Sequence, residues 1–243
     1  KVQKKLLFSG ISIDSRTIKK GELYIPIKGK KFDGHDFISD AFKKGAKASL
    51  VEIKKKQKLL ANKNLIFVKD TYQSLIKLAL YSRNRTKNLT TICVTGSSGK
   101  TTVKEWITTI FKKYKPTYST IGNFNNDIGL PLSLSNMPPN QKLCILELGM
   151  NAKGEINRLT KIAKPDIAII TNIGSAHSGN FNNLDDIAKE KSEIFSYLNN
   201  KGSAIIPNET NYYNIISEKA KKHTKNIYVF GSNSECDVRI EKF

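Results

Sequence analysis

Apolar and polar positions divide the chain into short strand-like and helix-like segments, and their arrangement changes near residue 86. In the first part, brief apolar runs at 11–13, 23–27, 50–53 and 65–68 alternate with helical patterns at 36–44 and 71–83. Runs of this length, bounded by glycine, proline and charged residues, are typical of strands. The polar segment 84–88 then indicates a linker. The pattern predicts a small mixed α/β domain over residues 1–86.

From residue 89 onward, apolar strand patterns and amphipathic helix patterns alternate regularly. The apolar runs lie at 89–94, 143–148, 167–173, 203–206 and 227–230, and the helical patterns lie near 100–113, 154–163, 184–198 and 210–222. Such alternation favours a parallel, doubly wound sheet that binds its ligands at the carboxyl ends of the strands. The fold class is therefore α/β, with a doubly wound, mostly parallel P-loop-type sheet domain over residues 87–243.

The segment 94–102, Val-Thr-Gly-Ser-Ser-Gly-Lys-Thr-Thr, indicates a loop that binds nucleotide phosphates. It follows an apolar strand pattern and opens a helical pattern, so backbone N–H groups at a helix N-terminus would surround phosphate oxygens. Lys100 would reach the β- and γ-phosphates, and the Thr101 hydroxyl would bind Mg²⁺. The usual pattern has a further glycine five residues before Gly99, where this chain has Val94.

Further candidate groups lie where predicted strands end. Glu147 closes the run 143–146, and a carboxylate beside a phosphate loop is suited to hold Mg²⁺ through oxygen. His177 follows the strand pattern at 167–171 and is a candidate metal ligand. Lys191 shares a helical stripe with Leu184, Ile187 and Ala188, which is unusual for a lysine.

Composition narrows the possible partners. The formal charge is +20, but only five of the 41 basic residues are arginine, the residue preferred for bidentate contacts to phosphates and bases. We therefore expect no nucleic-acid partner. The three cysteines have no paired or metal-type spacing, and no apolar stretch approaches the ~20 residues that span a bilayer. We expect a cytoplasmic protein.

Taken in order, these motifs resemble the Mur ligase family, which adds amino acids to a peptidoglycan precursor. The phosphate loop of that family also lacks the first glycine. The segments 14–16, 21–29 and 33–37 resemble its N-terminal UDP-sugar domain. The segments 122–131, 147–156 and 171–177 resemble most the branch that joins D-alanyl-D-alanine to a UDP-N-acetylmuramoyl tripeptide. The resemblance extends over nearly the whole chain.

The resemblance implies a role for each matching residue. The catalytic residues would be Lys100, Glu147, His177 and Lys191. ATP would be bound by Thr95, Gly96, Ser97, Ser98, Gly99, Lys100, Thr101 and Thr102. Mg²⁺ would be bound by Thr101, Glu147, His177 and a carbamylated Lys191, although the family usually has glycine where this chain has Ser192. The substrate would be bound by Ser15, Arg16, Asn125 and Asn126.

The implied activity is an ATP-dependent amide ligation through an acyl phosphate. Its cofactors would be ATP and Mg²⁺, and its partners would be the UDP-N-acetylmuramoyl tripeptide and D-alanyl-D-alanine in a bacterial cytoplasm. A monomer is expected. Residues 1–86 would bind the UDP-sugar and residues 87–243 would form the ATP domain, incomplete at its end. Family members carry a third, C-terminal domain, so the chain is expected to be a fragment.

Three alternatives stay open at this point. A neighbouring ligase of the same superfamily, such as the diamino-acid-adding enzyme or a folylpolyglutamate synthase, would share the phosphate loop. A truncated relative could bind UDP-sugars or ATP without ligating. A nucleic-acid-binding NTPase would use the positive charge, and its binding would depend steeply on salt.

Overall fold

The backbone of this computed structural model forms two parallel sheets, and it describes residues 6–58, 64–175, 180–181, 183–208 and 211–241. The strands are β1 (Ile11–Ser12), β2 (Leu23–Tyr24), β3 (Ala48–Glu52), β4 (Leu65–Val68), β5 (Thr90–Thr95), β6 (Thr117–Ser119), β7 (Leu143–Glu147), β8 (Ile167–Ile170), β9 (Ser203–Pro207), β10 (Asn226–Gly231) and β11 (Val238–Arg239). The helices are α1 (Ile38–Lys43), α2 (Thr71–Arg85), α3 (Lys100–Lys112), α4 (Gly129–Ser135), α5 (Glu155–Ala163), α6 (Leu184–Ser192) and α7 (Tyr213–Lys221).

The first sheet has four strands in the order β1-β2-β3-β4. The helix α2 covers it with Leu75, which packs in the same core as Leu23 and Leu50, whereas Ala79, one turn later, packs in the core of the second sheet. Asp70 begins this helix, since its carboxylate accepts a hydrogen bond from the Gln73 amide at 2.7 Å. The loops around β1 and β2 leave a broad cavity on this sheet.

The second sheet has seven strands in the order β11-β10-β9-β8-β5-β7-β6. The strand β5 lies in the middle, where it pairs with β7 on one side and β8 on the other. The chain leaves β5 toward β6 and β7 and later crosses over to β8, so the strand order reverses at β5. In open α/β sheets, ligands bind at such a switch point, beyond the carboxyl ends of the strands.

The helix α4 lies between the two sheets and contributes to both cores. Leu130 and Leu134 pack in the core of the seven-stranded sheet, whereas Leu132 packs in the core of the four-stranded sheet. Just after α4, the Asn136 side chain binds the backbone of β1: its Oδ1 accepts from the Ile11 amide at 2.8 Å and its Nδ2 donates to the Ile11 carbonyl at 2.9 Å. These contacts join the two sheets.

The predicted fold class is confirmed, with differences in several element boundaries. The pattern at 36–44 forms a 3₁₀ turn at Gly34–Phe37 before α1, and the helix predicted to reach residue 198 ends at Ser192, followed by a 3₁₀ turn at Glu193–Phe195. The edge strand β6 was not predicted because three residues are too short to show a period. The division at residues 86 and 87 stays a prediction.

Across the part of the chain that the structure describes, the helices fall short of the length and apolarity that a bilayer crossing requires. Cys93 and Cys144 are buried within β5 and β7 and are not in disulfides. Their burial as small apolar side chains agrees with the apolar runs in which they lie.

Asn136→Ala should destabilise the protein by about 1–3 kcal/mol, because it leaves the partly buried N–H and C=O groups of Ile11 without the Asn136 side chain as partner. Urea unfolding measures the loss. The control is Asn64→Ala, which removes one exposed hydrogen bond to the Lys47 carbonyl and should change stability by less than about 0.5 kcal/mol. Equal effects of the two substitutions would show that Asn136 does not hold the sheets together.

Candidate functional site

The loop between β5 and α3 forms the centre of the site. Gly99 begins α3 with a φ of 75°, in the left-handed region that glycine adopts without strain. This turn directs the first N–H groups of α3 toward open space beyond the sheet. Unpaired amides at a helix N-terminus, together with the helix dipole, favour an anion at this position.

A close approach between Gly96 and Thr171 fixes the start of this loop. A Cβ atom on Gly96 would lie 1.8 Å from the Thr171 hydroxyl oxygen, at a backbone φ of 154°. The same hydroxyl donates a hydrogen bond of 2.6 Å to the Ser98 carbonyl. Residue 96 therefore has to be glycine, and the end of β8 determines the path of the loop.

Asn172, immediately after Thr171, binds both serines of the loop. Its carbonyl accepts from the Ser97 amide at 3.1 Å, and its Oδ1 accepts from the Ser98 amide at 2.9 Å. Its Nδ2 donates to the Ser98 hydroxyl at 2.7 Å. The amides of Ser97 and Ser98 are therefore bound within the protein, and the candidates for binding an anion are the amides at the start of α3.

A carboxylate lies beside the phosphate loop and is held from two sides. Thr101 donates a hydrogen bond from its hydroxyl to Oε2 of Glu147 at 2.7 Å, and Asn125 donates from Nδ2 to Oε1 at 2.8 Å. Glu147 is only 3% exposed, so these donors replace the hydrogen bonds with water that its buried oxygens lack. The Glu147 amide in turn donates to the hydroxyl of Thr120 at 3.3 Å.

Two lysine ammonium groups share one carbonyl oxygen at the base of the loop. Lys100 Nζ donates to the Gly96 carbonyl at 2.8 Å, and Lys191 Nζ donates to the same oxygen at 3.0 Å. Burial and the neighbouring Lys100 lower the pKa of Lys191 to about 7, while Glu190 opposes the shift. Burial also lowers the pKa of Lys100, and Glu147 opposes that shift. A substantial fraction of Lys191 is therefore an uncharged amine near pH 7.

These groups border a cavity of about 290 Å³. Its lining residues come from the start of α3, the loop before α4 and the segment after β7: Gly99, Lys100, Thr101, Thr102, Asn125, Asn126, Glu147, Gly149, Met150 and Asn151. The described residues contain no cluster of three His, Cys, Asp or Glu side chains that could hold a metal ion by themselves. A threonine hydroxyl beside a carboxylate nevertheless fits Mg²⁺, which usually takes one or two protein oxygens together with phosphates and water.

A second cavity, of about 880 Å³, lies on the four-stranded sheet. Ser15 and Arg16 line it, together with Lys30, Lys31 and Phe32. The guanidinium of Arg16 donates to both oxygens of Asp14, at 3.0 and 2.8 Å, and its side chain is exposed. These cations and the exposed Phe32 ring provide contacts for an anionic ligand with an aromatic base.

The same cavity has a neutral phenol in its wall. Burial, Asp14 and Asp33 raise the pKa of Tyr24 to about 12, although its hydrogen bond with Ser15 opposes the shift. The Tyr24 hydroxyl donates to the Gly34 carbonyl at 3.0 Å, so it fixes the turn that follows β2.

The structure brings most of the predicted site residues together. Lys100, Thr101, Glu147 and Lys191 surround the loop 96–99, and Thr95 lies behind it, where its hydroxyl donates to the Leu148 carbonyl at 2.9 Å. Ser15 and Arg16 lie at the other cavity. His177, the predicted second metal ligand, lies outside the described residues.

The two asparagines predicted to bind the substrate line the cavity of about 290 Å³ beside the phosphate loop, and their role in substrate binding stays a prediction. Asn125 binds Glu147, and Asn126 accepts hydrogen bonds at Oδ1 from the amides of Ile128 and Gly129, at 3.2 and 2.8 Å, at the start of α4. The contributions of Asn172 and Thr120 were not predicted. The position of Asn172 directly after a strand that ends at the site is the signal that could have indicated it.

Comparison with known proteins identifies relatives for both parts of the chain. A family model described as Mur ligase middle domain matches residues 94–243, and one described as Mur ligase family, catalytic domain, matches residues 7–83. The chain is 38% identical over 231 residues to the UDP-N-acetylmuramoyl-tripeptide–D-alanyl-D-alanine ligase of Rickettsia prowazekii. That alignment covers 95% of this chain and 51% of the relative, so the chain spans about half the length of the curated relative.

Solved structures give the same match. MurF from Acinetobacter baumannii superposes with a TM-score of 0.84 at 36% identity, covering 93% of this chain and 49% of that one. MurF from Thermotoga maritima, solved in complex with ADP, gives a TM-score of 0.83 at 31% identity, covering 99% of this chain and 54% of that one.

Gly96→Ala should weaken the binding of ATP by at least about tenfold, because the new methyl group displaces either the loop or Thr171. Calorimetric titration of ATP with Mg²⁺ measures the change. Thr171→Ala alone shows what the lost hydrogen bond to Ser98 contributes. The double variant Gly96→Ala/Thr171→Ala should bind ATP more tightly than Gly96→Ala, since the clashing oxygen is gone. Normal affinity in Gly96→Ala would contradict the proposed constraint on the loop.

Proposed function

This chain belongs to the Mur ligase family, and from that premise we propose that it carries the UDP-precursor and ATP sites of a ligase that joins D-alanyl-D-alanine to a UDP-N-acetylmuramoyl tripeptide. The observation that carries the proposal is the contact between the Thr101 hydroxyl and the Glu147 carboxylate beside the phosphate loop. The relatives from Rickettsia prowazekii and Acinetobacter baumannii support this choice over the neighbouring ligases and over a nucleic-acid-binding NTPase.

The phosphate loop would bind ATP. The amides at the start of α3 face the cavity, and Lys100 would leave the Gly96 carbonyl to contact the β- and γ-phosphates. The relative from Thermotoga maritima was solved with ADP, which supports a nucleotide at this position. Burial disfavours the charged form of Lys100 and so lowers its pKa. A bound polyanion would have the opposite effect and stabilise the charged form.

Thr101 and Glu147 would hold Mg²⁺ through their oxygens, with Asn125 orienting the carboxylate. When bound, the ion would neutralise charge on the phosphates. Lys100 would stabilise the γ-phosphoryl group as it moves to the terminal carboxylate of the tripeptide, giving an acyl phosphate and ADP. The amine of D-alanyl-D-alanine would then attack the acyl carbon, forming the amide and releasing phosphate. Such a transfer requires mainly positioning and charge neutralisation from the protein.

Lys191 would act as a carbamate. Lys191 is 1% exposed and lies beside the partly buried Lys100, so the two ammonium groups repel each other at the Gly96 carbonyl. The uncharged amine would add to CO₂, forming an N–C bond and releasing one proton. The product is an anion on a long stem, which would attract Lys100 where the ammonium repels it. Its oxygens would also suit a metal ion, together with His177 as the family resemblance implies.

The cavity on the four-stranded sheet would bind the UDP-sugar part of the precursor. Arg16, Lys30 and Lys31 supply positive charge for a diphosphate, and the Phe32 ring supplies a surface for a base. Asn126 lines the cavity of about 290 Å³ beside the phosphate loop, where it would face the peptide end of the UDP-linked precursor. We place this reaction in the bacterial cytoplasm, where ATP and nucleotide-linked precursors occur, and expect a monomer with no nucleic-acid partner.

The UDP-N-acetylmuramoyl tripeptide should bind this chain more tightly than UDP-glucose in a calorimetric titration. Ser15→Ala should weaken the tripeptide binding about five- to tenfold, since it removes a hydroxyl from the cavity wall. Ser39→Ala, an exposed serine on α1, is the matched control and should leave binding unchanged. Equal affinity for the two ligands would reject the assignment to this branch of the family while leaving an ATP-dependent ligase.

Lys191 should give a carbamate signal in ¹³C NMR when the protein is equilibrated with ¹³CO₂. At a fixed CO₂ pressure the signal should increase from pH 6 to pH 8, because the pKa of Lys191 is about 7 and only the deprotonated amine reacts. Lys191→Met should abolish the signal, and Lys189→Met, a change at the exposed lysine two residues earlier, should retain it. A signal that persists in Lys191→Met belongs to another amine and would exclude this role.

A further inference from the structure

A second fully buried lysine lies in α3, one turn beyond the phosphate loop. The side chain of Lys104 is 0% exposed, whereas its neighbour Glu105, whose Oε1 lies 2.9 Å from Lys104 Nζ, is 56% exposed. Placing an ammonium group in the interior is costly unless hydrogen bonds and a counter-ion compensate for it. An apolar side chain of similar length would fill the same space without that cost.

The ammonium of Lys104 binds the backbone at the end of β6. Its Nζ donates to the Thr120 carbonyl at 2.9 Å. Thr120 continues the pairing of β6 with β7, because its amide donates to the Ile145 carbonyl at 3.0 Å. Thr120 is 1% exposed, so solvent does not supply a replacement donor for that carbonyl.

Thr120 also contacts the carboxylate residue of the site. Its hydroxyl accepts the hydrogen bond from the Glu147 amide at 3.3 Å. Five residues further along, Asn125 donates from its side chain to Oε1 of Glu147. The segment that starts at Thr120 therefore holds Glu147 at its backbone and at its carboxylate, and Lys104 fixes the beginning of that segment to α3.

We propose that Lys104 is a positioning residue that holds Glu147, through Thr120, in the orientation that receives the Mg²⁺ of bound Mg·ATP. The inference rests on the proposed function, because it assumes that Thr101 and Glu147 hold this ion. Lys100, Thr101 and Lys104 all lie within the first turn and a half of α3. One helix thus carries the phosphate-binding lysine, the metal-binding hydroxyl and the group that fixes the metal-binding carboxylate.

Two substitutions test the two links of this chain of contacts. Lys104→Met removes the donor to the Thr120 carbonyl at similar length, and Thr120→Val removes only the hydroxyl that accepts from Glu147. The matched control is Thr108→Val, another buried threonine on α3, whose hydroxyl donates to the Lys104 carbonyl at 2.6 Å within the helix. Thr120→Val keeps the test available if Lys104→Met does not fold.

The first readout is calorimetric affinity for ATP with and without Mg²⁺. We expect Lys104→Met and Thr120→Val to weaken Mg·ATP binding at least tenfold while metal-free ATP binding changes less than twofold. Thr108→Val should retain both affinities. Equal losses with and without Mg²⁺, or losses matched by Thr108→Val, would mean that Lys104 only stabilises the helix and would overturn the inference.

The second readout needs no ligand. Amide hydrogen exchange at Glu147 should be at least tenfold faster in Lys104→Met and Thr120→Val than in Thr108→Val, because its acceptor is displaced or lost. Unchanged exchange at Glu147 in both variants would also overturn the inference. If the unmodified chain itself fails to bind Mg·ATP, the proposed function is at fault, and the exchange measurement still decides whether Lys104 positions Glu147.

Discussion

The site depends on the close contact between the end of β5 and the end of β8. Gly96 passes so near the Thr171 hydroxyl that no side chain fits between them. Thr171 and Asn172 also bind the backbone of the loop: Thr171 donates to the Ser98 carbonyl, and Asn172 accepts from the amides of Ser97 and Ser98. Since β5 also pairs in parallel with β7, Glu147 lies beside the loop at the carboxyl ends of these strands. The positions of the loop, the start of α3 and the Thr101–Glu147 contact therefore all depend on the position of β8.

This geometry concentrates positive charge at a single carbonyl oxygen. Lys100 and Lys191 both bind the oxygen of Gly96, and the first turn of α3 directs its amides toward the same cavity. Burial lowers the pKa of both lysines, and the neighbouring Lys100 lowers that of Lys191 further. Binding of phosphates, or the proposed conversion of Lys191 to an anion, would relieve the repulsion between the two lysines, so the site would favour negatively charged occupants.

The local elements of the site could be predicted from the sequence because their signals are local. The carboxylate at the end of β7 and the buried stripe of α6 each appear within a short window of sequence, and the strand–loop–helix at 90–112 appears within 23 consecutive residues. The partners of these elements could not be predicted in this way. Asn172 binds residues more than 70 positions earlier, and Thr120 contacts Glu147 across 27 positions. Such contacts depend on strand order and register, which hydrophobic periodicity does not specify.

The helix α4 has a consequence for the order in which the chain acquires structure during synthesis. Strands β1 to β4 and helix α2 are complete by residue 85, yet their core still lacks Leu132 and their first strand still lacks the side chain of Asn136. Domains generally fold in the order in which they emerge from the ribosome. Here the core of the first sheet stays incomplete until about fifty further residues have been added. The nascent chain thus exposes an apolar surface over that interval, and the arrival of α4 completes the first core while the second still lacks every residue that follows α4.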